Sequence, residues 1–223
     1  MKSQKSKVRK NESVAKKKER LARIIKLFQK YYPDVKCALN YTTPEELLVA
    51  TILSAQCTDA RVNIVTETLF KECPVPEGLA RASIAKIEKL IHSTGFYKNK
   101  AKNLKSCCLD LVEKYGGKVP RDLNKLTELG GVGRKTANVV LGNAFGIASG
   151  VVVDTHVTRL SNRLGLVQGR NAVQLERELN ELVEKKHWIN FSHWLITHGR
   201  STCGARSPKC EVCFLEDLCP KVL

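Results

Sequence analysis

Two stretches of the chain bring together residue types that could do chemistry. In LTELGGVGRKTANVVLG, Leu126 to Gly142, Gly131, Val132 and Gly133 separate two short apolar-faced helical patterns, and Arg134 and Lys135 follow at once. Glycines at such a point allow left-handed or sterically open backbone while Val132 packs inward, a helix-hairpin-helix pattern. The N–H groups that open the second helix lack intrahelical partners, so they can bind a phosphate that approaches over the glycines. Such a hairpin grips a nucleic-acid backbone without reading bases. A bare G-x-G is also an ordinary tight turn, and a lysine beside it can be a simple phosphate contact. Spacing alone does not separate these readings.

The second stretch holds Cys203, Cys210, Cys213 and Cys219 in the pattern C-x6-C-x2-C-x5-C. Four thiolates in one polar segment that also contains Pro208 and Pro220 are a metal centre rather than unrelated core residues. Zinc normally uses two short C-x2-4-C loops, whereas only the central pair is close here, so the spacing favours an iron–sulfur cluster over zinc. Between the first two cysteines lies GARSPK, whose Arg206 and Lys209 would form a second phosphate contact on a loop fixed at both ends. Cys37, Cys57, Cys73, Cys107 and Cys108 fall in helical patterns and read as small core residues. Nine cysteines, an odd number, fit a reduced compartment better than a disulfide framework.

The elements that must position these residues are helical throughout. Leu21, Ile24, Ile25 and Phe28 recur at helical spacing, and Pro33 ends that segment. In TTPEELLVATILSAQ, Thr43 is an N-cap, Pro44 takes the first helical position and Glu46 completes a capping box; the helix is apolar on most faces and belongs in a core. Helical patterns continue over Ala60 to Phe70, from Ile84 after Ser83, from Ala101 to Tyr115 before Gly116 and Gly117, over Leu123 to Leu129 and Lys135 to Leu141, then over Thr155 to Leu164, Val173 to Glu184 and His193 to His198. Val151-Val152-Val153 is too short to seed a sheet, and no repeat of solenoid length is present. The fold class is all-α. The first twenty residues, lysine-rich and nearly free of large apolar side chains, are expected to be a disordered or frayed tail.

The chain has 223 residues, 43% of them hydrophobic, enough to bury a core. Its 38 lysines and arginines against 22 acidic residues give +16, which points to a polyanionic partner, nucleic acid first. No run reaches the roughly 18 apolar residues a bilayer span needs, and no secretory signal opens the chain, so an intracellular soluble protein with no membrane partner is expected.

From about Leu21 to Cys219 the chain resembles the endonuclease III family, DNA glycosylases and abasic-site lyases of the helix-hairpin-helix superfamily. The resemblance rests on LLVATILSAQCTD, GVGRKTANVVL, VVDTH, SHWLITHGR and the cysteine pattern, in the family's order and approximate spacing. It implies a helix-hairpin-helix glycosylase fold: a six-helix barrel domain over 37–148, and an iron–sulfur domain built from 21–36 and 149–223. Double-stranded DNA with damaged bases or abasic sites would lie between the two. By the same resemblance Lys135 is the nucleophile and Asp154 its partner, the four cysteines hold a 4Fe-4S cluster of structural role, and Gly131, Val132, Gly133 and Arg134 grip the DNA backbone. Gln56 and Phe96 would fill the gap left by a flipped nucleotide. Phe96 stands where the family usually has leucine, and Gly130 where it commonly has proline.

The implied chemistry is removal of oxidised pyrimidines in base excision repair. An amine attacks C1′ only when unprotonated, and the positive helix terminus, Arg134 and partial burial are expected to favour that form of Lys135. Attack expels the base and leaves a Schiff base, which permits β-elimination and cleavage 3′ to the abasic site. Asp154 would steady positive charge on the sugar and assist proton transfer; it also reads as the N-cap of the helix that opens at Thr155. The mismatch-adenine branch of the superfamily lacks the hairpin lysine and works through a glutamate in the early helix, which ILSAQCTD does not supply. A non-enzymatic DNA-binding module would need neither Lys135 nor Asp154. A monomer is expected, cytoplasmic and nucleoid-associated if the source is bacterial.

Overall fold

The computed structural model describes residues 12–222. It contains eleven α-helices and short 3-10 turns, and no strand among the described residues. The first helix, α1, spans Val14–Tyr31, with the Ser13 hydroxyl accepting from the Lys16 N–H at its start. This corrects the expected tail: residues 1–11 lie outside the described residues, but 14–20 are helix. The reason lies in two cations on the buried side of α1. Arg20 donates to the carbonyls of Leu164 (2.8 Å) and Leu218 (3.2 Å) and pairs with the Glu12 carboxylate at 2.7 Å, while Lys17 reaches the Leu166 carbonyl at 3.1 Å. Their stems continue the apolar stripe of Leu21, Ile24, Ile25 and Phe28, so the helix begins nearly two turns before the hydrophobic pattern does.

The chain divides into two compact units. One, Cys37–Ser149, holds α2 (Pro44–Leu53), α3 (Asp59–Glu72), α4 (Glu77–Arg81), α5 (Ile84–Ile91), α6 (Tyr97–Tyr115), α7 (Leu123–Thr127) and α8 (Arg134–Phe145). Its centre is α2, buried at nearly every position because its sequence is apolar almost all round. The capping box takes a shifted form: the Thr43 hydroxyl accepts from the Glu46 N–H at 3.1 Å, and Glu46 returns its carboxylate to the N–H of Thr42, not Thr43, at 2.6 Å. Helix α8 packs along α2, and α6 lies against α4 and α5. Cys73, Cys107 and Cys108 are buried in this core, whereas Cys37 and Cys57 are half-buried at its edge.

The other unit combines the residues up to Lys36 with those from Gly150 on, and adds α9 (Thr155–Arg163), α10 (Ala172–Leu182) and α11 (Trp188–Ser201) to α1. Phe28 of α1 stacks on Trp194 of α11, centroids 6.0 Å apart and planes 7° from parallel, and the Trp194 indole N–H donates to the Tyr32 carbonyl. Val151 to Val153 belong to no helix and pair with no strand among the described residues. The N–H groups of Val151 and Val152 donate instead to side chains, Asn180 Oδ1 on α10 and Ser192 Oγ on α11. No helix among the described residues is long and apolar enough to cross a membrane.

Because Arg20 is buried with three acceptors around it, Arg20→Ala is expected to cost about 3 kcal/mol in a denaturant titration. Lys71→Ala, which breaks only the exposed pair with Glu67, should leave the midpoint where it is. Equal effects would refute the structural role given to Arg20. Burial pushes the Cys107 thiol up to about 12 and raises that of Cys108 as well. Iodoacetamide at pH 8 should therefore leave both unmodified in the folded protein and alkylate both once it is unfolded.

Candidate functional site

The hairpin is built from α7 and α8. Leu126 and Leu129 anchor it in the core, and the Val132 N–H returns to the Leu129 carbonyl at 3.1 Å, which turns the Val132 side chain inward to 5% exposure. Gly131 has φ +73°, and a Cβ there would stand 2.6 Å from the Asn103 side chain on α6. Gly133 is different: its φ is −87°, it is the N-cap of α8, and a Cβ there would meet nothing within 4 Å. One glycine is required by the backbone and its neighbour; the other keeps the end of α8 bare. Arg134 and Lys135 follow in the first turn, both exposed. The expected partial burial of Lys135 is thus corrected. Side chains lean toward a helix's N-terminus, so a residue in the first turn projects past the hairpin, away from the buried Ala137, Asn138 and Val140.

Asp154 belongs to the other unit, half-buried at the start of α9. Its Oδ1 accepts from the Val157 N–H at 2.8 Å, so the carboxylate is held in one orientation by the cap while Oδ2 takes no part in it.

The four C-terminal cysteines, spread over 17 residues of sequence, line one recess together with Leu160, Leu164, His198 and Leu215. Around their sulfurs stand N–H donors and a histidine. Arg163 Nη1 lies 3.3 Å from Cys203 Sγ, His198 Nε2 lies 3.3 Å from Cys213 Sγ, and the Lys221 N–H lies 3.4 Å from Cys219 Sγ. Burial holds His198 neutral, its pKa pushed down to about 4, and its other ring nitrogen faces the Tyr32 hydroxyl. Burial also raises the thiol pKa values of Cys213 and Cys219, and the negative charge of the neighbouring thiolates raises them further. Four thiolates so placed repel one another unless a strongly positive centre sits among them. The four thiols share that recess, and four cysteine thiolates are the donor set of an iron–sulfur cluster. Arg206 and Lys209 are exposed on the loop between the first two cysteines. Arg163 pins that loop through the carbonyls of Gly204 (2.7 Å) and Ala205 (2.8 Å).

Residues 49–185 match the HhH-GPD superfamily of base excision DNA repair proteins, and residues 203–219 match the iron–sulfur binding domain of endonuclease III. The second match begins and ends on a cysteine of the recess. The chain is 52% identical to endonuclease III of Synechocystis sp., over 93% of its own length and 94% of that protein's. The chain belongs to the endonuclease III family. It is accordingly an enzyme of base excision repair, a DNA glycosylase and abasic-site lyase, and it carries a 4Fe-4S cluster. Its fold superimposes on two solved structures with TM-score 0.86 at 42% identity, each over 91% of this chain and at least 94% of theirs. One is a non-covalent endonuclease III–DNA complex and the other a trapped endonuclease III–DNA covalent intermediate. The mismatch-adenine reading falls with this membership.

Gln56 and Phe96, singled out on the family pattern, share an unusual backbone. Both are exposed non-glycine residues at positive φ, +54° and +49°. Helix α2 ends at Leu53, so Gln56 stands in the turn beyond it rather than capping it. Phe96 is 65% exposed at the start of α6, which excludes a core role. Three residues beside the candidate sites were given no role from the sequence: Arg163 and His198 at the sulfurs, the latter within SHWLITHGR, and Lys100, buried on α6 between the turns of Gln56 and Phe96. Lys100 did leave a trace, since it interrupts the buried stripe of α6 one turn before Leu104 and two turns before Cys107 and Cys108.

The two glycines should separate in a stability assay. Gly131→Ala combines a positive φ with a clash against Asn103 and is expected to cost about 2 kcal/mol, while Gly133→Ala should fold as stably as the unaltered protein. A Gly133→Ala protein as unstable as Gly131→Ala would overturn the division of roles.

Proposed function

We propose that Lys135 is the nucleophile of this glycosylase and lyase, acting on duplex DNA that carries an oxidised pyrimidine or an abasic site. The observation that carries the reading is the exposed amine of Lys135 in the first turn of α8, directly after a glycine cap that leaves the helix end bare. A phosphate held by that helix end brings the sugar of the same strand toward the lysine.

The Lys135 nitrogen bonds to C1′, and the bond from C1′ to the damaged base breaks with its electron pair leaving on the base. Loss of a proton from nitrogen and opening of the sugar ring give a Schiff base. Removal of a C2′ proton then expels the 3′ phosphate, and water releases the lysine. Asp154 steadies positive charge on the sugar as the base departs and takes or returns protons. Its cap bond to Val157 fixes the carboxylate for that task, so capping and catalysis are compatible roles. Cys203, Cys210, Cys213 and Cys219 hold the cluster, which when bound supplies a covalent tie across the C-terminal loops. Those loops then present Arg206 and Lys209 to a second phosphate. Gly131, Val132, Gly133 and Arg134 grip the backbone, while Gln56 and Phe96 enter the stack where the damaged nucleotide has left it. The protein acts as a monomer and, if its source is bacterial, in the cytoplasm and on the chromosome.

Borohydride trapping on a duplex with one thymine glycol tests the assignment. The unaltered protein should form a covalent adduct, and Lys135→Ala should form none and cleave about a thousandfold more slowly or worse. Base release without an adduct would instead mean direct attack by water, and DNA binding with neither would mean a module that only grips phosphate. Asp154→Ser keeps a side-chain cap, so its stability should hold while cleavage falls about a hundredfold. Full activity in that variant would reduce Asp154 to a cap.

A further inference from the structure

Lys100 poses a physical problem that the reaction does not answer. It is 5% exposed, and its ammonium meets two backbone carbonyls rather than a carboxylate: Leu53 at 2.8 Å and Thr94 at 2.8 Å. Burying an ammonium is costly, and an aliphatic side chain would continue the stripe of Leu104, Cys108 and Leu111 without that cost. A cation kept at such a position must be doing something that packing alone cannot.

What it does is set by the two carbonyls it joins. Leu53 is the last residue of α2, three before Gln56, and Thr94 stands two before Phe96. Both carbonyls belong to helix ends, where acceptors lack intrahelical donors and the local field favours a cation. The Lys100 N–H also donates to the Phe96 carbonyl at 3.1 Å, and the Thr94 hydroxyl is itself fixed by a bond to the Ile91 carbonyl. One residue therefore ties both turns. Those turns carry two of the three non-glycine residues at positive φ among the described residues, and the third, Lys221, lies far along the chain. Left-handed backbone at glutamine or phenylalanine is strained and persists only where the surroundings over-determine it.

We infer that Lys100 is a positioning residue whose ammonium, by binding the Leu53 and Thr94 carbonyls together, presets the turns of Gln56 and Phe96 so that both side chains enter the DNA stack at once. The inference rests on the reading of Gln56 and Phe96 as inserted side chains. Its gain is preorganisation: two loops fixed before DNA arrives need not be ordered when the nucleotide flips.

The test uses the full cluster-loaded protein and the variants Lys100→Met and Lys100→Gln, each also combined with Gln56→Ala plus Phe96→Ala. Cleavage is measured on a thymine-glycol duplex and on a single-stranded abasic oligonucleotide, which needs no gap filled. Fluorescence of 2-aminopurine beside the abasic site in a duplex reports insertion. Lys100→Met should slow duplex cleavage about tenfold or more and abolish the 2-aminopurine change, while single-strand cleavage stays within about twofold. In the protein already lacking both inserted side chains, Lys100→Met should add nothing, because it acts through them. Lys100→Gln keeps one donor and should fall between, and the same cycle runs on it should the methionine variant not fold.

Equal losses on duplex and single strand, losses that add in the combined variant, or a glutamine variant as active as the unaltered protein would each overturn the inference. If Gln56→Ala plus Phe96→Ala leaves duplex cleavage and the fluorescence change intact, the insertion reading itself has failed. That result is distinct from a Lys100 that fails while the two side chains matter.

Discussion

Cations bonded to backbone carbonyls hold this protein's connections in place. In an all-helical chain every helix ends in carbonyls without intrahelical donors, and loops that cross a buried surface carry more of them. Here long basic side chains supply the donors. Arg20 and Lys17 serve Leu164, Leu166 and Leu218; Lys105 serves Ala80 and Ala82; Arg159 serves Gly199 and Cys203; Arg163 serves Gly204 and Ala205; Lys100 serves Leu53 and Thr94. A positive group at the negative end of a helix is favoured twice, by the hydrogen bond and by the dipole. The charge surplus of +16 therefore has two destinations. Part of it faces outward, as at Arg134, Lys135, Arg206 and Lys209, and part of it is internal scaffolding.

The opposite end of a helix follows the complementary rule, and the candidate chemistry uses both versions of it. Where α9 begins, Asp154 satisfies an N–H with its own carboxylate and is thereby aimed. Where α8 begins, Gly133 supplies no side chain and leaves the positive end open beside Lys135. A serine or aspartate at Gly133 would give α8 a better cap and would fill the place a phosphate needs. Under the proposed chemistry, stability is given up at one helix end for phosphate binding and retained at the other, where the capping carboxylate has a second use.

The C-terminal segment shows what such bonds accomplish where a core is thin. Residues 203–222 contain two short 3-10 turns and one isolated bridge between Cys203 and Pro208, with Leu215 and Leu218 as their buried apolar anchors. Their order comes from Arg163, His198 and the ring of four thiols, and then from whatever positive centre those thiols surround. Arg163 touches a sulfur and two loop carbonyls at once, so the geometry of the ring and the course of the GARSPK loop are linked through one side chain.

The sequence by itself determined the all-helical class, the caps at Thr43 and Asp154, the hairpin around Val132 and the grouping of four cysteines, because each depends on residues within a few positions of one another. Apolar spacing, a capping hydroxyl or a glycine acts locally, and its effect can be read locally. The helix at 14–20, the exposure of Lys135 and Phe96, and the roles of Arg20, Lys100, Arg163 and His198 were decided only by the tertiary structure. A lysine or arginine in a sequence looks the same whether it ends in water or under a core. Arg20 differs from its neighbours in α1 only because the Leu164 carbonyl, 144 residues on, comes within 2.8 Å, and Lys100 because Leu53, 47 residues back, does the same. No short-range pattern encodes which distant acceptor a long side chain will meet; the fold must first bring that acceptor within its reach.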